Sequence, residues 1–256
     1  MFNATYFRYD GEWSGTYGLQ IVDFDSSVVQ ETDAFSPTLS LQKTPGSLRF
    51  YHGGIEYDSA PTCEFSVLSE RELTGKVRSK IISWLVGRRE FKTLSFDSID
   101  NLDFTYRCVF TSVRTIWING RCHGFRLTAE FDSPFARGRD TTISVDAGTH
   151  TVTLYNNSDI IDDYTYPIVE FTGGSIDIVN TTDDSNRHFT FSGLASIEIV
   201  TVDNEARYIS SNMGGEKLSN FTSKNWLRLR PGKNILTINA SGHVNITCPY
   251  YAMIGY

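Results

Sequence analysis

Residues that could carry out chemistry are scattered along the chain and form no enzymatic motif. Two acidic pairs, Asp162-Asp163 and Asp183-Asp184, are of the residue type that glycosidases use. Both pairs lie in stretches rich in Asn, Thr and Asp, which are typical of exposed loops. The sequence contains no glycine-rich phosphate-binding motif, no serine-hydrolase elbow and no zinc-protease motif. We therefore predict no enzymatic activity, no catalytic residue and no cofactor.

The histidines and cysteines also lack the spacing that a metal site requires. The histidines stand singly, at His52, His123, His150, His188 and His243. None has a second histidine four residues away, as metal-binding pairs on a helix do. The cysteines are Cys63, Cys108, Cys122 and Cys248, and they form no CxxC pair. We predict neither a metal site nor a disulfide framework.

A turn signal in the middle of the chain fixes where two of the cysteines should lie. Asn119-Gly120 between two β-rich runs is typical of a tight type I′ hairpin. A hairpin centred on this turn pairs Trp117 with Cys122 and Cys108 with Phe131. Because this register keeps Cys108 far from Cys122, we expect reduced and mostly buried cysteines.

Length and charge narrow the class of protein. The 256 residues (28.9 kDa) are 40% hydrophobic and 21% charged, which is a globular composition, and the longest apolar runs are too short to span a membrane. A net charge of −7 argues against binding nucleic acid through its phosphates. The first residues contain neither the basic region nor the apolar stretch of a signal peptide, so we expect synthesis in a cytosol.

Short β-type runs separated by turn residues dominate the chain. Turn signals recur every 8 to 12 residues or so, a spacing typical of β-sandwiches and β-barrels. Among the predicted strands are 104–118, 125–131 and 225–229. We predict a mainly β protein.

One segment departs from this pattern and predicts an amphipathic helix. Its apolar residues recur at helical spacing, at Leu73, Val77, Ile81, Trp84 and Leu85. The preceding Ser69–Glu72 fits a capping box, and Gly87 is a natural stop. Because Gly75 is unfavourable inside a helix, the alternative is a helix that begins near Thr74.

The opposite face of this helix is basic. It carries Arg71, Lys76, Arg78 and Lys80. Such a face is explained either by simple solvation or by a contact between subunits. We keep both interpretations and take these four residues as the candidate interface.

A change in composition suggests two domains. Pro and Gly accumulate where a predicted strand ends, in 132–139. The helix lies before this point, and the chain after it is β-type throughout. We place the domains at 1–132 and 133–256.

Several segments together resemble the distal tail protein of long non-contractile-tailed bacteriophages, the hub of the tail tip or baseplate. Order and spacing over nearly the whole chain carry the resemblance. The segments are Tyr17–Leu19 with Ile21–Phe24, Ile82–Leu85 with Phe91–Asp97, Phe125–Phe135, Tyr164–Phe171, Gly193-Leu194 with Ile197–Ile199, and Trp226–Asn234.

This resemblance implies a structural virion protein at the tail tip, made in the cytoplasm of a bacterial host. It implies a ring-forming N-terminal β-barrel or sandwich-like domain with one helix, followed by a galectin-like β-sandwich. Six copies would form a ring that joins the tail tube protein to the tail-associated hub protein, and receptor-binding proteins would attach around it. Phage DNA would pass through the ring without stable binding.

The residues themselves also suggest structural anchors, and one alternative function stays open. The candidate anchors are Trp84, Leu85, Trp226, Pro231 and Gly232. Galectin-type sandwiches often stack a sugar on an exposed aromatic ring, and Trp226 or Tyr208 could serve in this way. The alternative function is therefore a lectin-like module that recognises a host-surface glycan.

Overall fold

The computed structural model describes residues 4–24, 38–43, 45, 48–56, 60–97, 104–160 and 163–253. Strands dominate these residues and one α-helix interrupts them, so the predicted mainly β fold is confirmed. The chain divides into two compact units, a first unit of Met1–Ala136 with Met253–Tyr256 and a second unit of Arg137–Ala252. No described helix is long and apolar enough to cross a membrane.

The first unit is built on a seven-stranded antiparallel sheet with one helix. In chain order its elements are β1 (Phe7–Tyr9), β2 (Glu12–Trp13), a short 3-10 helix (Ser14–Tyr17), β3 (Gln20–Val22), β4 (Thr38–Gln42), β5 (Tyr51–Glu56), β6 (Thr62–Leu68), α1 (Gly75–Val86), β7 (Lys92–Phe96), β8 (Tyr106–Ile118) and β9 (Arg121–Phe131). The sheet order is β2-β1-β7-β8-β9-β6-β3, and β4 pairs with β5 separately. The N–H of Ile21 in β3 donates to the carbonyl of Thr5, just before β1, at 2.8 Å. Because this bond links the two ends of the sheet, the sheet curls towards a barrel.

The hairpin of β8 and β9 has the predicted register at both ends. Trp117 lies opposite Cys122, and Cys108 lies opposite Phe131. The turn residues 119–120 have φ angles of 50° and 76°, as a type I′ turn requires. All four cysteines are free, as expected.

Two irregularities inside this hairpin insert one extra residue each, Thr111 in β8 and His123 in β9, and their effects on the register cancel. The bulge at His123 also holds the chain that precedes the helix. The N–H of Ser69 donates to the carbonyl of His123 at 2.7 Å, and the N–H of Leu73 donates to the carbonyl of Cys122 at 2.8 Å.

These bonds explain where α1 begins. The predicted capping box at 69–72 is wrong, because that segment is held by β9 and the helix starts after Thr74. Thr74 makes no side-chain capping bond. The helix ends before Gly87, where an added Cβ would collide with the carbonyl oxygen of Ser83. A residue with a Cβ would therefore not fit at position 87 as the helix ends. Gly87 is not in the left-handed conformation that is common at helix ends, since its φ is −71°.

The second unit is a β-sandwich. Its strands are β11 (Thr141–Val145), β12 (Gly148–Asn156), β13 (Ile168–Thr172), β14 (Ile176–Asn180), β15 (His188–Phe191), β16 (Ile199–Asp203), β17 (Tyr208–Ser211), β18 (Gly232–Ala240) and β19 (Val244–Cys248). The sheet orders are β11-β19-β13-β16-β17 and β12-β18-β14-β15, and β10 (Phe135–Arg137) pairs separately with β20 (Tyr251–Met253). Both large sheets contribute inward residues to one core, for example Val202 and Ile246 from the first and Ile178 and Leu236 from the second.

The strand predicted at 225–229 is absent. Leu227 and Leu229 are buried with the alternation of a strand, but Leu229 forms only an isolated bridge with Thr165. Asn204 Oδ1 accepts the N–H of Leu227 at 2.8 Å, and Asn180 Nδ2 donates to the carbonyl of Arg228 at 3.1 Å. Amide side chains thus satisfy backbone groups that a ladder would otherwise pair.

Candidate functional site

The candidate site is the exposed side of α1 together with the tip of the β8–β9 hairpin. Arg71 lies just before the helix, and Lys76, Arg78 and Lys80 lie on it. Arg71, Lys76 and Lys80 are exposed and Arg78 is half-buried. Among the described residues, none of the four forms an ion pair. The helix therefore presents positive charge that the rest of the described chain leaves unneutralised.

Two of these cations are fixed by aromatic rings on opposite sides of the helix. The guanidinium carbon of Arg78 lies 5.2 Å from the ring centre of Trp117, at the hairpin tip. Lys80 Nζ lies 5.4 Å from the ring centre of Tyr17, at the end of the 3-10 helix. Cation–π contacts of this kind orient a side chain while leaving its charge available. The sequence indicated the basic residues but not their aromatic partners.

An open groove of about 540 Å³ runs beside the N-terminal half of α1. Tyr17, Leu73 and Val77 give it an apolar floor, and Arg71 and Lys80 border it. Glu70 and Glu72 add negative charge at one side. The groove thus combines an apolar centre with a charged rim, the composition of a protein interface.

The hairpin tip exposes large apolar side chains next to this helix. Trp117 is 54% exposed and Ile118 is 43% exposed. Trp and Arg are the residue types that most often dominate binding energy at interfaces. The arrangement can therefore support association with another protein.

The anchors predicted in the first unit lie in its core. Trp84 and Leu85 are buried, and Trp84 stacks on Phe7 with ring centres 5.7 Å apart. The indole N–H of Trp84 donates to the carbonyl of Tyr9 at 3.1 Å. The helix is thereby fixed against β1, which sets the position of its basic face.

The anchor predicted at Pro231 and Gly232 is a turn that begins β18. Gly232 has a φ of 80°, a conformation that glycine adopts without strain. The fully buried Asn234 holds the turn, since its Oδ1 accepts the N–H of Arg230 at 2.9 Å and its Nδ2 donates to the carbonyls of Arg230 and Gly232 at 2.8 and 3.0 Å. The sequence analysis missed Asn234 as an anchor, although its place two residues after a Pro-Gly pair was a usable signal.

The two candidate sugar contacts differ in their surroundings. Trp226 is half-buried, packs on Phe221 with ring centres 5.0 Å apart, and lies under the Arg207 guanidinium at 5.5 Å. Tyr208 is 64% exposed. Because Phe221 and Arg207 already contact the Trp226 ring, a sugar would have to displace the arginine to stack there.

The remaining chemistry-bearing residues serve structural contacts. Asp183 binds Arg228 Nε at 2.8 Å and accepts the Tyr164 hydroxyl at 3.0 Å, whereas Asp162 lies outside the described residues. Burial raises the pKa of the Cys63 and Cys248 thiols to about 12, so they stay protonated. Within the part of the chain that the structure describes, no group of three His, Cys, Asp or Glu side chains could hold a metal ion.

Comparison with known proteins defines the class to which this chain belongs. Residues 2–133 match the model of the phage tail protein N-terminal domain, and residues 135–248 match that of the phage tail C-terminal domain. The chain therefore belongs to this family of phage tail proteins.

Individual relatives agree with this class. The SPbeta prophage-derived uncharacterized protein YomH of Bacillus subtilis (strain 168) is 22% identical over 251 residues, which are 96% of this chain and 97% of that protein. The crystal structure of SPP1 Dit, described as a paradigm of the hub adsorption apparatus in phages that infect Gram-positive bacteria, matches with a TM-score of 0.69 and 15% identity over 97% of this chain and 99% of that one. A chain of the phage P2 baseplate in its activated conformation matches with a TM-score of 0.53 and 6% identity, over 96% and 97% of the two chains. The resemblance to phage tail proteins is confirmed by the family models, and the fold is that of SPP1 Dit, while the galectin-like character of the sandwich stays a prediction.

Proposed function

We propose that this phage tail protein is the structural hub of a tail tip or baseplate, in which six copies close into a ring. The observation that carries the proposal is the surface on both sides of α1, with an apolar groove bordered by Lys80 on one side and the exposed Trp117 under Arg78 on the other. None of these cations forms an ion pair among the described residues. A closed ring requires a heterologous interface, in which two different patches of each copy meet head to tail. The basic helix face with its groove supplies one such patch.

The two-domain organisation divides the work. Residues 1–132 would form the ring, and residues 133–256 would form the galectin-like sandwich. The ring would join the tail tube protein above to the tail-associated hub protein below, and receptor-binding proteins would attach around it. The protein would reside in the virion, after synthesis in the cytoplasm of the bacterial host.

The charge of the chain suits a passage for DNA. Each copy carries a net charge of −7, so six copies carry about −42 in total, and we propose that part of this charge lines the opening. An acidic lining repels phosphates, so that a genome slides through without stable binding. A strongly basic inner surface in an assembled ring would contradict this part of the proposal.

A lectin-like role is the alternative, and the exposed Tyr208 is the observation that favours it. It is less well supported, because Arg207 covers the Trp226 ring on which a sugar would stack. Glycan-array binding by the full chain that is lost in Tyr208→Ala would favour the lectin. Absence of glycan binding would leave the structural hub.

Light scattering on the purified full chain tests the ring. We expect a mass about six times the 28.9 kDa of one copy, alone or with tail partners, and a central hole in negative-stain images. The variant Lys80→Glu should reduce assembly, while Lys233→Glu, an exposed change of the same charge in the second unit, should not. A strict monomer at high concentration, also with partners present, would overturn the proposal.

A further inference from the structure

The second unit has one sheet edge that lacks the usual protection against strand pairing. Strand β12 (Gly148–Asn156) is paired along all nine residues with β18 on one side, and it is the outermost strand of its sheet. No described residue forms a backbone hydrogen bond to its other side. The strand therefore presents a row of N–H and C=O groups that a further strand could use.

The sequence of β12 sets it apart from the other edges. Native edges are blunted by short length, charged side chains or proline. The edge strands β2, β3, β15 and β17 are only two to four residues long, and β11 (TTISV), which is also uncharged, has five. By contrast, β12 has nine residues (GTHTVTLYN) and contains no Lys, Arg, Asp, Glu or Pro. Nothing in this strand discourages pairing.

A recess at one end of this edge provides a place for a side chain. An open cavity of about 220 Å³ lies between the end of β12 and the start of β11. Tyr155, which is 55% exposed, lines the recess together with Thr141, Pro249 and Tyr250, and the polar Arg139 and Asn157 also border it. Strand addition usually draws affinity from backbone bonds and specificity from such side-chain pockets.

We propose that β12 binds an extended segment of another tail protein, which adds a fifth strand to the β12-β18-β14-β15 sheet. The segment would be uncharged over about nine residues, to match β12, and would carry one large apolar side chain that enters the recess beside Tyr155. The kind of partner rests on the proposed function, whereas the binding edge does not. Antiparallel pairing of β12 with a second copy would require a two-fold axis, which a ring of six identical head-to-tail contacts lacks.

A defined peptide tests the edge on the full chain. The probe is an uncharged, fluorescently labelled peptide of alternating threonine and valine that ends in phenylalanine, and its binding is followed by polarisation. The variant Thr151→Lys/Thr153→Lys places two charges on exposed positions of the edge. Because edge lysines oppose strand pairing, we expect binding to weaken at least about tenfold.

A control separates strand addition from binding to the face of the sheet. Asn239→Lys puts one positive charge, half of what the edge variant adds, on an exposed position of β18, which is flanked by β12 and β14 and has no free edge. Its affinity should stay within about twofold of the unmodified chain, if edge pairing dominates binding. Tyr155→Ala should weaken the phenylalanine probe but leave a probe that ends in glycine unaffected. Thermal unfolding of each variant verifies that it folds.

Backbone exchange gives the most direct readout. New interstrand bonds should slow hydrogen exchange in 148–156 when the probe binds. Equal binding by the Thr151→Lys/Thr153→Lys variant, or unchanged exchange in β12, would overturn the proposal. A dimer of the free chain that the probe dissociates would assign the edge to a second copy and overturn the choice of partner. The mass of that variant separates the two proposals, since six copies are expected whether or not the edge binds.

Discussion

In the first unit a helix is fixed to a sheet by aromatic rings, whereas in the second unit an irregular extended segment is fixed by amide side chains. Trp84 of α1 contacts the rings of Phe7, Tyr9 and Tyr17, with ring centres 5.4 to 6.2 Å apart. In the second unit, Asn180, Asn204 and Asn234 bind the backbone of 227–230. All three asparagines are buried.

The two kinds of contact differ in how strictly they depend on the orientation of the groups involved. Apolar burial depends mainly on area, so an aromatic cluster tolerates small shifts of its members. A buried amide stabilises only when its donors and acceptors meet their partners, and a missing partner leaves an unsatisfied group in the interior. In the first unit, aromatic packing therefore positions the helix and its surface. In the second unit, directional hydrogen bonds from buried amides position the extended segment.

The largest effect is expected from removing the aromatic anchor. Trp84→Ala deletes a buried ring and the hydrogen bond to Tyr9, so it should lower the free energy of unfolding of the first unit by about 3 to 5 kcal/mol. Denaturant unfolding and hydrogen exchange in 62–131 would measure the loss. Trp84→Phe keeps most of the area and should cost clearly less. A loss below about 1 kcal/mol would show that the aromatic cluster does not fix the helix.

The next largest effect is expected from one amide. Asn234→Ala removes the acceptor of the Arg230 N–H and of one N–H of the Asn180 amide, so it should lower the free energy of unfolding of the second unit by about 2 to 3 kcal/mol. Hydrogen exchange should increase first in 227–234. Asn239→Ala, an exposed position on the same strand, is the matched control and should change stability by less than about 0.5 kcal/mol. Similar values for both variants would contradict a special role for the buried amide.

This contrast also explains what could be predicted from the sequence. The hairpin register could be predicted from Asn119-Gly120, because the turn type fixes the pairing of the residues next to it. The predicted pairing of Cys108 with Phe131 is also correct, because the register shifts of the two bulges cancel. The strand at 225–229 was predicted wrongly although its alternation was correct. Alternation reports which residues are buried and carries no information on whether a strand or an amide satisfies the backbone.

The candidate site shows the same limit. Helical spacing places only Lys76 and Lys80 on one face of α1, because they are four positions apart. Arg78, two positions from each, lies on another side of the helix, and Arg71 precedes it, so the predicted single basic face is divided. The stacking of Arg78 on Trp117 joins positions 39 residues apart and depends on the length of the β8–β9 hairpin. The capping box failed for a related reason, since the bond between Ser69 and His123 comes from a distant bulge.

The directional contacts of the second unit should also make its stability depend on pH. Glu198 is 3% exposed, and hydrogen bonds from Lys217 at 2.7 Å and Ser211 at 2.5 Å hold its pKa below the ordinary value. A lowered pKa in the folded state adds stability above the ordinary carboxyl pKa, and this stability is lost as the pH falls through the lowered value. Glu198→Gln should therefore reduce the acid dependence of unfolding in the second unit, and an unchanged pH profile would contradict the role of this carboxylate.

The smallest effect on stability is expected at the surface of the first unit, where the effect on assembly should be largest. Arg78→Glu removes a cation from the exposed ring of Trp117, which should cost only about 0.5 to 1 kcal/mol in unfolding free energy. If the helix face is an interface, the same change places a negative charge where the neighbouring copy meets a positive one, so the mass measured by light scattering should fall. Arg78→Lys keeps the charge and can still lie over the ring, so it should assemble normally. Normal assembly of Arg78→Glu would return this residue to the solvated-face interpretation. A stability loss as large as that of Trp84→Ala would instead show that the hairpin tip belongs to the packed part of the unit.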